Sequence, residues 1–67
     1  MKGGEIMIDL KKIRIDKGYT QESLAIEAGV KRVTITNIES GYNRPSVNLA
    51  KKLGSILGID WALFFSD

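Results

Sequence analysis

The sequence predicts an all-α domain built from five short helices. No run of four or more residues alternates cleanly in β-branched and aromatic types, so strand signals are missing. Apolar residues recur instead at helical spacing through most of the chain. Most such stretches open on a residue that caps helices and close on a glycine.

Asp9 is the N-cap expected for the first helix, in which Leu10 and Ile13 share a face and Arg14 and Lys17 occupy an adjoining one; Gly18 ends it as a left-handed cap. Thr20 caps the second helix by accepting a bond from a backbone amide two or three residues on, and Glu22 suits the positive end of the helix dipole. Leu24, Ala25 and Ala28 form its inward stripe, and Gly29 stops it. Val30, Ile35 and Ile38 supply the apolar positions of the third helix, which ends at Ser40 and Gly41. Tyr42-Asn43-Arg44-Pro45 reads as a polar loop, because Pro45 disfavours helix at Arg44. Ser46 caps the fourth helix, which runs to about Leu57, buries Val47, Ala50, Leu53 and Leu57, and stops at Gly58. Asp60 caps a short fifth helix, Trp61 to Phe65. Residues 1–67 therefore read as one domain with no repeat, residues 1–7 as a flexible lead-in carrying Gly3-Gly4, and Met7 as a second candidate start.

Size and composition narrow the function. A chain of 67 residues buries only about 60% of its unfolded surface. Domains this small usually lean on disulfides, a metal or a partner chain. The sequence has no Cys and no His, which removes disulfides and the common zinc sites together, and no calcium-loop pattern is present. No metal or cofactor is expected, and self-association is the remaining support. No stretch approaches the roughly 18 apolar residues needed to span a bilayer, and no apolar segment follows Lys2 to make a signal peptide. A cytoplasmic protein without membrane contact is the expectation. Catalysis is not expected either: there is no His or Cys, no phosphate-binding glycine loop, and no base near Ser23 or Ser40.

The net charge of +2 matters less than its position. Residues 1–27 carry five basic and five acidic side chains, and residues 49–67 carry two of each. Residues 28–48 hold Lys31, Arg32 and Arg44 against Glu39 alone, so the whole excess lies there. Such a local surplus fits a phosphate-contacting surface. It overlaps a pair of helices, roughly Thr20 to Gly41, joined through a Gly turn, with the small residues Ala25 and Gly29 where the helices would cross, and this arrangement leaves the second helix projecting.

Gln21-Glu22-Ser23-Leu24-Ala25, Ala28-Gly29-Val30, Thr34-Ile35, Asn37-Ile38-Glu39-Ser40-Gly41 and Asn43-Arg44-Pro45-Ser46 together resemble the Cro/phage-repressor (XRE-type) helix-turn-helix family. The resemblance spans about Leu10 to Phe65 and implies a lambda-repressor-like DNA-binding domain with the helix-turn-helix at helices 2 and 3. It implies that helix 3 enters the major groove of double-stranded DNA, with Arg32, Val33, Thr36 and Asn37 facing the bases. Arg32 can fork onto guanine O6 and N7, Asn37 can pair with adenine N6 and N7, and Val33 can touch a thymine methyl. Gln21, Lys31, Thr34, Tyr42, Asn43 and Arg44 are then placed against the sugar–phosphate backbone, Gln21 helped by the dipole of helix 2. Arg14 and Glu39 stand where the family pairs helix 1 with helix 3, which implies a structural ion pair.

Two departures from the family pattern stand out. Lys31 occupies the place where Ser or Thr commonly caps helix 3, so that helix start is expected to be capped less well. Residues Trp61 to Phe65 are uninterruptedly apolar, and a helix of five residues cannot bury every side. A homodimer through helix 5 is the expectation, with Leu63 and Phe65 central and Leu49 and Ile56 flanking. The function expected is a sequence-specific transcriptional regulator, a repressor reading a pseudo-palindromic operator. The alternative is a protein-interaction module, antitoxin-like, that uses the same fold chiefly to hold a partner protein.

Overall fold

The computed structural model describes residues 8–65; the expected lead-in of residues 1–7 lies outside them. Four α-helices follow in order, α1 (Leu10–Asp16), α2 (Gln21–Ala28), α3 (Arg32–Glu39) and α4 (Val47–Leu57). The fifth helix is not an α-helix: Trp61–Phe65 forms a 3₁₀ helix. Five residues are too few to establish an α ladder, and the amide of Leu63 instead reaches the Asp60 carbonyl three residues back at 3.0 Å. Among the described residues there is no strand.

Local chemistry accounts for the helix boundaries. Asp9, Thr20 and Ser46 each accept a backbone amide three residues on, from Lys12, Ser23 and Leu49. At α2 the exchange is reciprocal, because the Ser23 hydroxyl accepts from the Thr20 amide at 2.9 Å and closes a capping box. Lys31 caps α3 with no side-chain bond, so this is the one helix among the four whose N-cap side chain accepts nothing. Gly29 turns the chain out of α2 in the left-handed region, at φ +74°, where a side chain would be strained. The turn to α3 is thus only Gly29, Val30 and Lys31. Val30 belongs to this turn rather than to helix 3, half-buried, with its amide on the Ala25 carbonyl.

The core is drawn from every element. Leu10, Leu24, Ala25, Ala28, Ile35, Ile38, Ala50, Leu53, Leu57 and Phe64 are essentially inaccessible, and Leu49 joins them at 9% exposure. Val47, expected inside, is half-exposed. At about 100° per residue it sits some 90° from the mean direction of Ala50, Leu53 and Leu57, at the margin of the apolar stripe. α2 packs on α3 and α4, α1 on α3, and α4 on the 3₁₀ helix. That last contact depends on Gly54, whose missing side chain leaves room for the backbone of Ile59 and Trp61; a Cβ there would lie 2.8 Å from the Ile59 carbonyl oxygen.

Candidate nucleic-acid interface

α3 owes its orientation to two isoleucines. Ile35 and Ile38 are buried against the other helices, and rotation of about 100° per residue then turns Val33, Thr36 and Asn37 to the opposite side and Arg32 to the adjoining flank. Arg32 is exposed and Val33 is 56% accessible, while Thr36 and Asn37 are half-buried at the margins of the same face. An apolar side chain left this open at the start of a helix contributes nothing to the core, so Val33 is free to meet a ligand. Lys31 is exposed and Thr34 half-buried. Two positive charges at a helix start oppose its dipole, which makes Lys31 and Arg32 poor choices for stability and suitable ones for a polyanion.

Behind this face lies a polar cluster. Arg14 is only 7% accessible. Its guanidinium meets both carboxylate oxygens of Glu39 and donates to the Tyr19 carbonyl at 2.8 Å. The pair ties α1 to the end of α3 and leaves the Glu39 side chain 5% exposed. Among the described residues no buried side-chain nitrogen or oxygen lacks a hydrogen-bond partner.

Gln21, at the first position of α2, does not simply project toward solvent. Its amide nitrogen donates to Glu39 Oε1 at 3.0 Å, and its carbonyl oxygen accepts from the Thr36 hydroxyl at 3.1 Å and from Arg32 Nη1 at 3.4 Å. One amide hydrogen remains for an outside acceptor. Thr36 is therefore engaged within the domain, on Gln21 and on the Arg32 carbonyl. Sequence reasoning placed these residues by their positions on helices and missed that they touch. The one signal available was that Gln21, Thr36 and Glu39 carry complementary polar groups on the facing sides of two adjacent helices.

The loop after α3 is shaped by Asn37, whose carbonyl accepts the amides of Tyr42 and Asn43 at 2.9 and 3.2 Å. Tyr42 is 77% exposed, Asn43 and Arg44 are exposed, and Pro45 is buried beneath them. The loop thus carries its polar and aromatic side chains out on a fixed backbone. Of the four residues expected at a dimer contact, Leu63 is exposed, Phe65 and Ile56 are half-buried, and Leu49 is a core residue with little surface to offer. Trp61 stacks edge-on to Phe65 with centroids 6.2 Å apart and lies under the Lys51 ammonium.

The sequence pattern of the helix-turn-helix family HTH_3 matches residues 10–64. The HTH-type transcriptional regulator YqaF of Bacillus subtilis is 50% identical over 58 residues, covering 87% of this chain and 76% of its own. The fold is similar to the restriction-modification controller protein C.AhdI of Aeromonas hydrophila, with a TM-score of 0.75 and 32% identity over 85% of this chain and 83% of that one. It is similar as well to SinR, the master regulator for biofilm formation, in complex with DNA, with a TM-score of 0.75 and 28% identity over 85% and 92% of the two chains.

Proposed function

Since the chain belongs to the HTH_3 helix-turn-helix family, we propose that it is a DNA-binding transcriptional regulator, a cytoplasmic repressor that reads a pseudo-palindromic operator as a homodimer. The observation that carries this reading is the outward face of α3. Arg32, Val33, Thr36 and Asn37 supply a forked cation, an apolar group, a hydroxyl and an amide on one side of a helix held from behind by Ile35 and Ile38. Those are the side-chain types that distinguish base edges in the major groove. Lys31, Thr34, Tyr42, Asn43 and Arg44 flank the face as backbone contacts, and their phosphate bonds fix register rather than sequence.

Two copies are needed for an operator of ordinary size. The domain is 30 Å in its longest dimension, whereas successive half-sites on one face of DNA lie about 34 Å apart. The apolar surface of the 3₁₀ helix, centred on Leu63 with Phe65 and Ile56 beside it, is the contact we assign to the dimer. The test is selection of bound sequences from random duplex DNA. A two-fold symmetric motif supports the proposal, and sequence-independent, salt-sensitive binding alone contradicts it.

The exposed Leu63 also favours a second reading, in which this surface holds a different protein. The two differ in their sensitive residue. A regulator loses its function with Arg32→Ala, whereas a partner-holding module keeps it and loses it with Leu63→Glu.

A further inference from the structure

We infer, resting on the dimer contact proposed for the 3₁₀ helix, that Trp61 is the positioning residue of that contact: seated on Gly54 and covered by Lys51, its indole is the wall that holds Phe65 where a second copy meets it. A 3₁₀ stretch of five residues does not fix its own direction, because its hydrogen bonds are poorly aligned and so short a helix is marginal in water. Packing must supply the direction. Phe64 gives one attachment, fully buried in the core. A single attachment leaves the segment free to pivot, and Trp61 gives the second. At three residues per turn Trp61 and Phe64 share a face, which leaves Leu63 and Phe65 to the other two sides. Leu63 is accordingly exposed and Phe65 half-buried.

Three neighbours hold the indole itself. Its root meets α4 where Gly54 has no side chain; a Cβ there would stand 3.1 Å from the Trp61 Cβ and 3.2 Å from its amide nitrogen. Lys51, three residues earlier on α4, sets its ammonium 5.2 Å from the ring centroid, within the range of a cation–π attraction. Phe65 stands edge-on to the same ring, centroids 6.2 Å apart and planes at 75°, an arrangement that aromatic pairs prefer. Trp61 thus works from behind the contact. A Phe65 ring already held against it has less freedom to lose when two copies meet. In a two-fold contact each side chain appears twice, so any slackening of Phe65 counts on both sides.

The experiment measures the dimer dissociation constant by sedimentation equilibrium, with circular dichroism checking that each variant is folded at the concentrations used. Trp61→Leu is expected to weaken dimerisation by about tenfold, and Trp61→Phe, which keeps an aromatic wall, to stay within about twofold of wild type. Phe65→Ala should weaken it as well, and adding Trp61→Leu to Phe65→Ala should cost nothing further, because Trp61 acts through Phe65. Trp61 is the chain's one tryptophan, so its fluorescence reports on this ring alone. Acrylamide is expected to quench it equally above and below the dissociation constant. Additive losses for Trp61→Leu and Phe65→Ala, an unchanged constant with Trp61→Leu, or protection from acrylamide in the dimer alone overturns the inference; the last result would place the indole in the contact itself. If wild type stays monomeric at every concentration, the proposed dimer falls first, before any variant is made, and the role of Trp61 falls with it.

Discussion

Replacing Glu39 with alanine isolates what the buried ion pair contributes. The Arg14 side chain is 8% exposed and that of Glu39 5%, so neither is screened as a surface pair would be. Removing one partner of such a pair costs about 3–5 kcal/mol, because the other charge is left buried without compensation. Arg14 keeps its bond to the Tyr19 carbonyl, and Gln21 loses an acceptor it can replace with water; we expect the lower end, about 3 kcal/mol. A domain of 67 residues has a total stability of roughly 3–10 kcal/mol. The variant therefore loses from about 30% to all of its stability. Urea titration at one fixed protein concentration measures this, since any dimerisation makes the midpoint depend on concentration. The double variant Arg14→Met with Glu39→Met removes both charges and fills the space, and is expected to be more stable than Glu39→Ala alone. A loss below about 0.5 kcal/mol for Glu39→Ala would place the pair among surface bridges and refute the reasoning.

Three further changes probe other links in the account. Thr20→Ala breaks the capping box with Ser23 and should cost about 1 kcal/mol in the same titration. Gly54→Ala gains about 1 kcal/mol of helix propensity, yet its Cβ would meet the Ile59 carbonyl oxygen at 2.8 Å; we expect net destabilisation, with amide NMR shifts concentrated in residues 54–65. Leu63→Glu places a charge on an exposed apolar position and should leave the helical circular dichroism unchanged while sedimentation shows monomer in place of the dimer proposed for the wild type.

The helix plan was largely legible because it rests on single residues at fixed offsets. Asp9, Thr20 and Ser46 act as caps as their side chains dictate, and Lys31, which has no acceptor, leaves its cap unfilled. Ser23 was not legible as the reciprocal partner of Thr20, since Glu or Gln is the usual residue there. Periodicity alone placed Val47 inside and Val30 in helix 3, because it carries no information on where a stripe meets its edge or where a turn begins. The 3₁₀ geometry of Trp61–Phe65 depends on length and on Asp60, whose side chain accepts the Ala62 amide at 3.0 Å, more than on residue type. Leu49 was assigned to a partner surface from its apolar character and proves to be core. Least legible was the Gln21 cluster. A sequence places a long polar side chain on a helix face but does not say whether it turns outward to a ligand or inward to a carboxylate, and here Glu39 draws it inward.

The central claim is that the outward face of α3 reads bases, with Arg32 as its most informative residue. The most direct measurement is the affinity of wild type and Arg32→Ala for the selected site and every single-base variant of it, at one stated salt concentration. The account predicts that Arg32→Ala loses about 1–3 kcal/mol of discrimination at one base position in each half-site and keeps the preferences elsewhere. An equal loss of affinity on every sequence would show that Arg32 binds only phosphate and would contradict the claim.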